Sequence, residues 1–152
     1  MKRWASMTDA SRTPEVTPEA FMAAVSQLGD AYCDSLSVES LAWGEIQLRM
    51  RFGPGFLRPG GTISGPAMFA LCDAALWGAV WAATGAALMS VTTDMTLHFL
   101  RRPGPKDLIA KGRVLKVGRR LSYGEVMLYS DGDPKPVCHA TGSYAPVVNP
   151  TG

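Results

Sequence analysis

Residues 60–85 read GGTISGPAMFALCDAALWGAVWAATG, a glycine-rich approach to a run from Pro66 to Ala83 in which Asp73 is the one charged residue. Thr62 or Ser64 suits the cap position of a helix. Pro66 suits its first turn, where a missing N–H is tolerated because those donors have no intrahelical partner, and Gly85 offers the stop. The run is long enough to raise the question of a membrane span. Its Ala/Gly content and internal acid instead predict a helix buried in the core of a folded domain. The small residues Ala67, Ala70, Ala74, Ala75, Gly78, Ala79, Ala82 and Ala83 allow such a helix to lie close to a curved sheet. Trp77 and Trp81, four residues apart, share one face and suit packing or an interface.

Outward from this helix the pattern has a period of two. Before it, Ile46, Leu48, Met50 and Phe52 alternate with Glu45, Gln47, Arg49 and Arg51, the signature of a strand with one buried and one wet face. A strand around 32–41 is expected to pair with it through a turn near Trp43 and Gly44. The prolines and glycines of 54–61 break regular structure. After the helix, VTTDMTLHFL at 91–100 alternates again, and further strands are expected at 106–117, 120–129 and 136–146, separated by the VGRR and DGDPKP turns. A short helix is expected from Pro18, with Phe21, Met22, Val25 and Leu28 at helical spacing and Gly29 as its stop. Residues 1–17, rich in Ser, Thr, Pro and charge, read as a flexible lead-in, disordered or loosely docked, to one domain spanning 18–148. Helix, two strands, long helix and four strands make an α+β fold, since the later hairpin spacings leave no room for crossover helices.

With 152 residues, 47% apolar content and a formal charge of +2, the chain has the make-up of one globular domain and lacks the dense basic face of a nucleic-acid binder. Cys33, Cys72 and Cys138 are odd in number and widely spaced, which fits reduced thiols in a cytoplasmic protein. Neither His98 nor His139 has ligand neighbours at metal-site spacing, so no metal is expected. The first twenty residues lack the apolar stretch of a secretory signal. Asp94 and His98 share a strand face at a spacing typical of a polar outer or interface face, and His139 is expected to follow the same rule.

A lone acid in an apolar helix is costly unless it is paired or used. Two readings of Asp73 stay open on the residues alone: it faces a solvent gap or caps a loop, or it is poised for chemistry. The outward amides of the first helical turn, at the positive end of the helix dipole, suit an oxyanion or a polarised carbonyl.

In GGTISGPAMFALCDAAL, supported by VTTDMTLHFLRRP and VLKVGRRLSYGEV, the chain resembles the hotdog-fold acyl-CoA thioesterases of the phenylacetyl-CoA thioesterase type, over about Pro18 to Pro146. Where that family commonly has His-Gly-Gly before the central helix, this chain has Ser64, Gly65 and Pro66. Asp73 falls on the family's catalytic acid, nine positions after the His. The resemblance implies a homodimer or dimer of dimers with each active site between subunits, acting on an acyl-CoA substrate with no cofactor beyond the coenzyme A of the substrate itself. It implies that Asp73 activates water or attacks directly, that the Gly65 amide polarises the thioester carbonyl, and that Ser64 stands beside them. It also implies that Thr92 or Thr93 reaches the acid of the neighbouring subunit, and that Arg102 and the turn residues Arg119 and Arg120 meet the nucleotide phosphates. No nucleic acid or membrane partner is implied. The Ser64 and Pro66 departures motivate an alternative, a non-catalytic acyl-CoA or acyl-group binding protein. A hotdog dehydratase needs a His in the pre-helix segment, and none is present.

Overall fold

The computed structural model describes residues 9–29, 31–85 and 89–146. The first eight residues of the lead-in and the last two of the expected domain, 147 and 148, lie outside them. A first helix, α1 (Pro18–Ser26), starts on a Thr17 cap whose hydroxyl accepts the Ala20 N–H at 3.1 Å. Strands β1 (Leu36–Ala42) and β2 (Glu45–Met50) follow, then a two-residue hairpin of β3 (Leu57–Arg58) and β4 (Thr62–Ile63). The long helix α2 (Gly65–Thr84) leads into β5 (Val91–Phe99), β6 (Leu108–Val117), β7 (Ser122–Ser130) and β8 (Pro136–Ala145). The six longer strands form one antiparallel sheet in the order β1-β2-β6-β7-β8-β5, curved around α2 as a hotdog fold.

The alternating strands do what their period requires. Ile46, Leu48 and Met50 of β2, Leu108 and Ala110 of β6, Val126 and Leu128 of β7, and Cys138 and Ala140 of β8 all turn inward and are buried. They close on α2, whose Ala67, Leu71, Cys72, Ala75, Leu76, Ala79 and Ala82 have no exposed surface. The helix has the length and hydropathy of a membrane span, yet most of it is enclosed by the sheet. Two glycines set how closely it lies. A Cβ on Gly112 of β6 would sit 2.9 Å from the Ala75 carbonyl oxygen, and one on Gly124 of β7 would sit 2.6 Å from Leu76 Cδ1. The sheet is stripped of side chains where the helix backbone crosses it.

The lead-in is docked as far as it is described: Val16 is buried, the Glu15 N–H donates to the Ala82 carbonyl at 2.9 Å, and the Arg12 guanidinium lies 4.0 Å from the centre of the Trp43 ring. Val16 supplies the apolar anchor that a count dominated by Ser, Thr and Pro hid. The first strand begins later than 32, because Cys33–Ser35 coil into a short 3-10 turn before Leu36.

β5 is an edge strand, hydrogen-bonded on one side to β8. Its apolar residues are only partly covered: Met95 and Leu97 touch the core, while Val91 and Phe99 are 51% and 55% exposed. A register shift between Thr92 and Asp94 breaks its alternation. Such a bulge lets Thr92 turn to the same inner side as Met95 and Leu97, two residue parities on one face.

Candidate functional site

Asp73 sits in the middle of α2, half-buried, where the helix passes the end of β8 and the start of β5. Thr92 donates its hydroxyl to Asp73 Oδ1 at 3.0 Å, and the phenol of Tyr144 donates to the same oxygen. The phenol oxygen is also 3.2 Å from the Asp73 main-chain carbonyl. Tyr144 and Thr92 are cross-strand partners, so the sheet register brings both donors to one carboxylate oxygen. Among the described residues nothing donates to Oδ2. The Asp73 side chain lines a cavity of about 470 Å³, walled by Val25 of α1 and Leu28 just beyond its end, by Tyr32, and by Ala74 and Trp77 of α2. The lone acid of the helix is thus bonded on one oxygen and open on the side of a cavity.

Tyr144 is 4% exposed. Burial, the Asp73 charge and the bond to Asp73 push its phenol well above the ordinary tyrosine value, which keeps it a proton donor. Cys72, next to Asp73, is fully buried, and the neighbouring Cys138 thiol and burial both push its own thiol up, so it stays protonated and unreactive. All three cysteines are free and buried.

At the helix start, Ser64 has extended backbone (φ −69°, ψ 153°) and its hydroxyl accepts the Ala67 N–H at 3.3 Å. Of the two cap candidates it is Ser64 that caps, and its oxygen is engaged in the helix. The Gly65 N–H has no acceptor among the described residues, and Pro66 has none to offer. Gly65 lines a second cavity of about 400 Å³ together with Arg58, Thr62, Met68, Phe99 and Arg102. Arg101 lines it too, with its guanidinium tied to the Pro136 carbonyl at 2.8 Å.

The predicted residues therefore fall into two groups within one chain. Asp73 and Gly65 are eight residues apart, about 12 Å along a helix axis at 1.5 Å per residue, and line different cavities. Thr92 reaches the Asp73 of its own chain, where the resemblance put Thr92 or Thr93 against a neighbour's acid; Thr93 bonds instead to the Ser143 carbonyl and hydroxyl, at 3.2 and 2.8 Å. Arg119 and Arg120 are exposed in the β6–β7 turn, one step beyond the row Ser122, Tyr144, Thr92, and so at the Asp73 end of β5. Arg102 is at the other end, with Gly65. His139 meets Glu125 at 2.8 Å on the outer face of the sheet, where Glu125 also takes the Arg113 guanidinium at 2.6 and 2.9 Å. Arg58, Tyr32 and Tyr144 escaped the sequence reading. Arg58 stands in the proline-glycine break, and the tyrosines in strand-like stretches where an aromatic residue is ordinary.

Comparison with known proteins follows the same geometry. The thioesterase superfamily profile matches residues 60–137. A crystal structure of a candidate thioesterase from a Silicibacter species is 34% identical, with TM-score 0.77, covering 89% of this chain and 94% of that one. Zebrafish thioesterase superfamily member 2 shares the fold at 23% identity and TM-score 0.78, over 90% of this chain and 99% of its own. A point mutant of the phenylacetic acid degradation protein PaaI from Thermus thermophilus shares it at 24% identity and TM-score 0.66, over 74% of this chain and 94% of its own. No curated protein sequence matches the chain.

Proposed function

Because the chain belongs to the thioesterase superfamily, we propose that it hydrolyses acyl-CoA thioesters to a free acid and coenzyme A, with Asp73 as the acting carboxylate. The observation that carries this reading is the Asp73 side chain, held at Oδ1 by Thr92 and Tyr144 and standing in the wall of the 470 Å³ cavity. An acyl group fits that cavity, whose lining is mainly apolar. Asp73 takes a proton from water as the water oxygen attacks the thioester carbon, or attacks that carbon itself to give an anhydride that water then opens. The oxygen that becomes negative accepts from a Gly65 N–H, the C–S bond breaks, and the thiolate leaves to be protonated.

The two halves of this chemistry come together in a homodimer, alone or within a dimer of dimers. β5 has a free edge nine residues long, with Asp73 near its Thr92 end and Gly65 packed beside Phe99 at the other. Antiparallel pairing of two β5 edges about a two-fold axis sets the Thr92 end of one chain beside the Phe99 end of the next. Asp73 of one subunit then faces Gly65 of its partner, and the β6–β7 turn with Arg119 and Arg120 approaches the partner's Arg58 and Arg102, a basic surface suited to the phosphates of coenzyme A.

The test is thiol release from short, aromatic and long acyl-CoA esters. Turnover abolished by Asp73→Asn supports the reading; an Asn variant as fast as the parent refutes it. A second reading, acyl-CoA binding without turnover, draws on the engaged Ser64 hydroxyl and the missing Pro66 amide. Calorimetric binding with no thiol release from any ester would establish it instead.

A further inference from the structure

We propose that Tyr144 is a positioning residue for Asp73: its phenol, with Thr92, consumes Oδ1 and fixes the carboxylate rotamer so that Oδ2 is the oxygen presented to the substrate. This rests on the hydrolytic reading of Asp73 and adds a residue and an atom to it. A carboxylate on a helix turns about two side-chain bonds, and its two oxygens are equivalent until something distinguishes them. Here the distinction is built. Tyr144 lies on β8, Thr92 on the paired strand β5, and the register Tyr144↔Thr92 aims both hydroxyls at one oxygen. The phenol oxygen also lies 3.2 Å from the Asp73 main-chain carbonyl, so side chain and backbone of the same residue are gripped together.

The rest of the environment supports the assignment. Tyr144 is almost fully buried, its ring held in the core cluster, so its hydroxyl cannot swing away to solvent. The environment that pushes its ionisation up also keeps the proton on the phenol over the whole working pH range, which makes it a constant donor and removes it as a competing base. Tyr144 lines the same cavity as Asp73. A hydrogen bond to a charged acceptor is among the stronger ones and is directional, as holding a reactive group against rotation requires.

Tyr144→Phe keeps the ring and removes only the hydroxyl. The expected result is a fall in kcat of about ten- to hundredfold, the size of one lost bond to a charged acceptor, with KM within about threefold. A phenol that only fills space leaves kcat where it is in the parent, and that outcome overturns the proposal. A measurement without turnover separates this from failure of the hydrolytic reading. With tyrosine labelled at 13Cζ, the Tyr144 resonance at neutral pH is expected to move upfield in Asp73→Asn, as the charged acceptor disappears. If the parent cleaves no ester, the hydrolytic reading falls and this shift still decides the positioning; an unmoved resonance refutes it, including where Tyr144→Phe does not fold.

Discussion

If each active site draws Asp73 from one chain and Gly65 from its partner, two inactive variants must rescue one another. Asp73→Asn removes the carboxylate. Gly65→Pro removes the amide while keeping the helix start: Ser64 already has the extended ψ of 153° that precedes a proline well, and the first helical position tolerates the loss of an N–H. The Cβ it adds meets Phe99 at 3.6 Å, an ordinary contact. Loss of one oxyanion donor costs about 10²- to 10³-fold in kcat, so each variant alone is expected to fall to about 1% of the parent or less. In a mixed dimer, one site holds both substitutions and the other holds neither. A purified heterodimer, isolated on two different tags, is therefore expected to keep about half of the parent activity, and an unsorted 1:2:1 mixture about a quarter. Were both groups to act within one chain, every site in the heterodimer would carry a lesion. Thiol release at the level of the single variants would then refute the two-fold arrangement, and with it the argument from the separation of about 12 Å along α2.

Three further outcomes are expected. Ala74→Leu, on the cavity wall one residue from Asp73, should raise KM for long acyl chains more than for short ones; an unchanged ranking of esters would show that the acyl group lies elsewhere. Gly124→Ala places a Cβ 2.5 Å from the Arg113 carbonyl oxygen and 2.6 Å from Leu76 Cδ1, and an overpacking cost of about 1–3 kcal/mol or more should appear in urea unfolding as a lower midpoint. Glu125 is pulled in two directions: burial raises its pKa, and the bonds from His139 and Arg113 outweigh burial and lower it overall. A folded value below the unfolded one adds stability that is present above the ordinary glutamate range and is lost as pH falls through the folded value. The gap in urea midpoint between the parent and Glu125→Gln should therefore be wide near neutral pH and close as the medium is made strongly acidic, and a constant gap would contradict the cause assigned.

How far the sequence reveals this depends on whether a feature is local. The strands and α2 are legible because a period of two and an uncharged helical run are properties of neighbours in sequence. Asp73 is legible for the same reason, as the single charge in that run. The choice between Thr92 and Thr93 is not: strict alternation assigns them to opposite faces, and the bulge between Thr92 and Asp94 decides which one turns inward. Tyr144 is a further case. Nothing near it in the sequence suggests an acid, and only the closing of β8 against α2 brings its phenol to a residue 71 positions away. The docking of Arg12 on Trp43 and of Glu15 on Ala82 is equally remote in sequence.

The glycines of the sheet connect these remote features to the chemistry. Gly112 and Gly124 sit on adjacent strands under consecutive residues of α2, Ala75 and Leu76, and a side chain at Gly112, which meets the Ala75 main chain, would lift the helix off the sheet. Asp73 stands two residues before Ala75 on the same rigid rod. Its distance from Tyr144 and Thr92 is thus set by how deeply the helix is seated, and hydrogen bonds weaken steeply over a few tenths of an ångström beyond their normal range. A substitution that lifts α2 should reach the active site before it unfolds the protein. Gly112→Ala, whose Cβ would fall 2.9 Å from the Ala75 carbonyl oxygen, is therefore expected to reduce kcat in a protein that is still folded, by separating the carboxylate from the two hydroxyls that hold it.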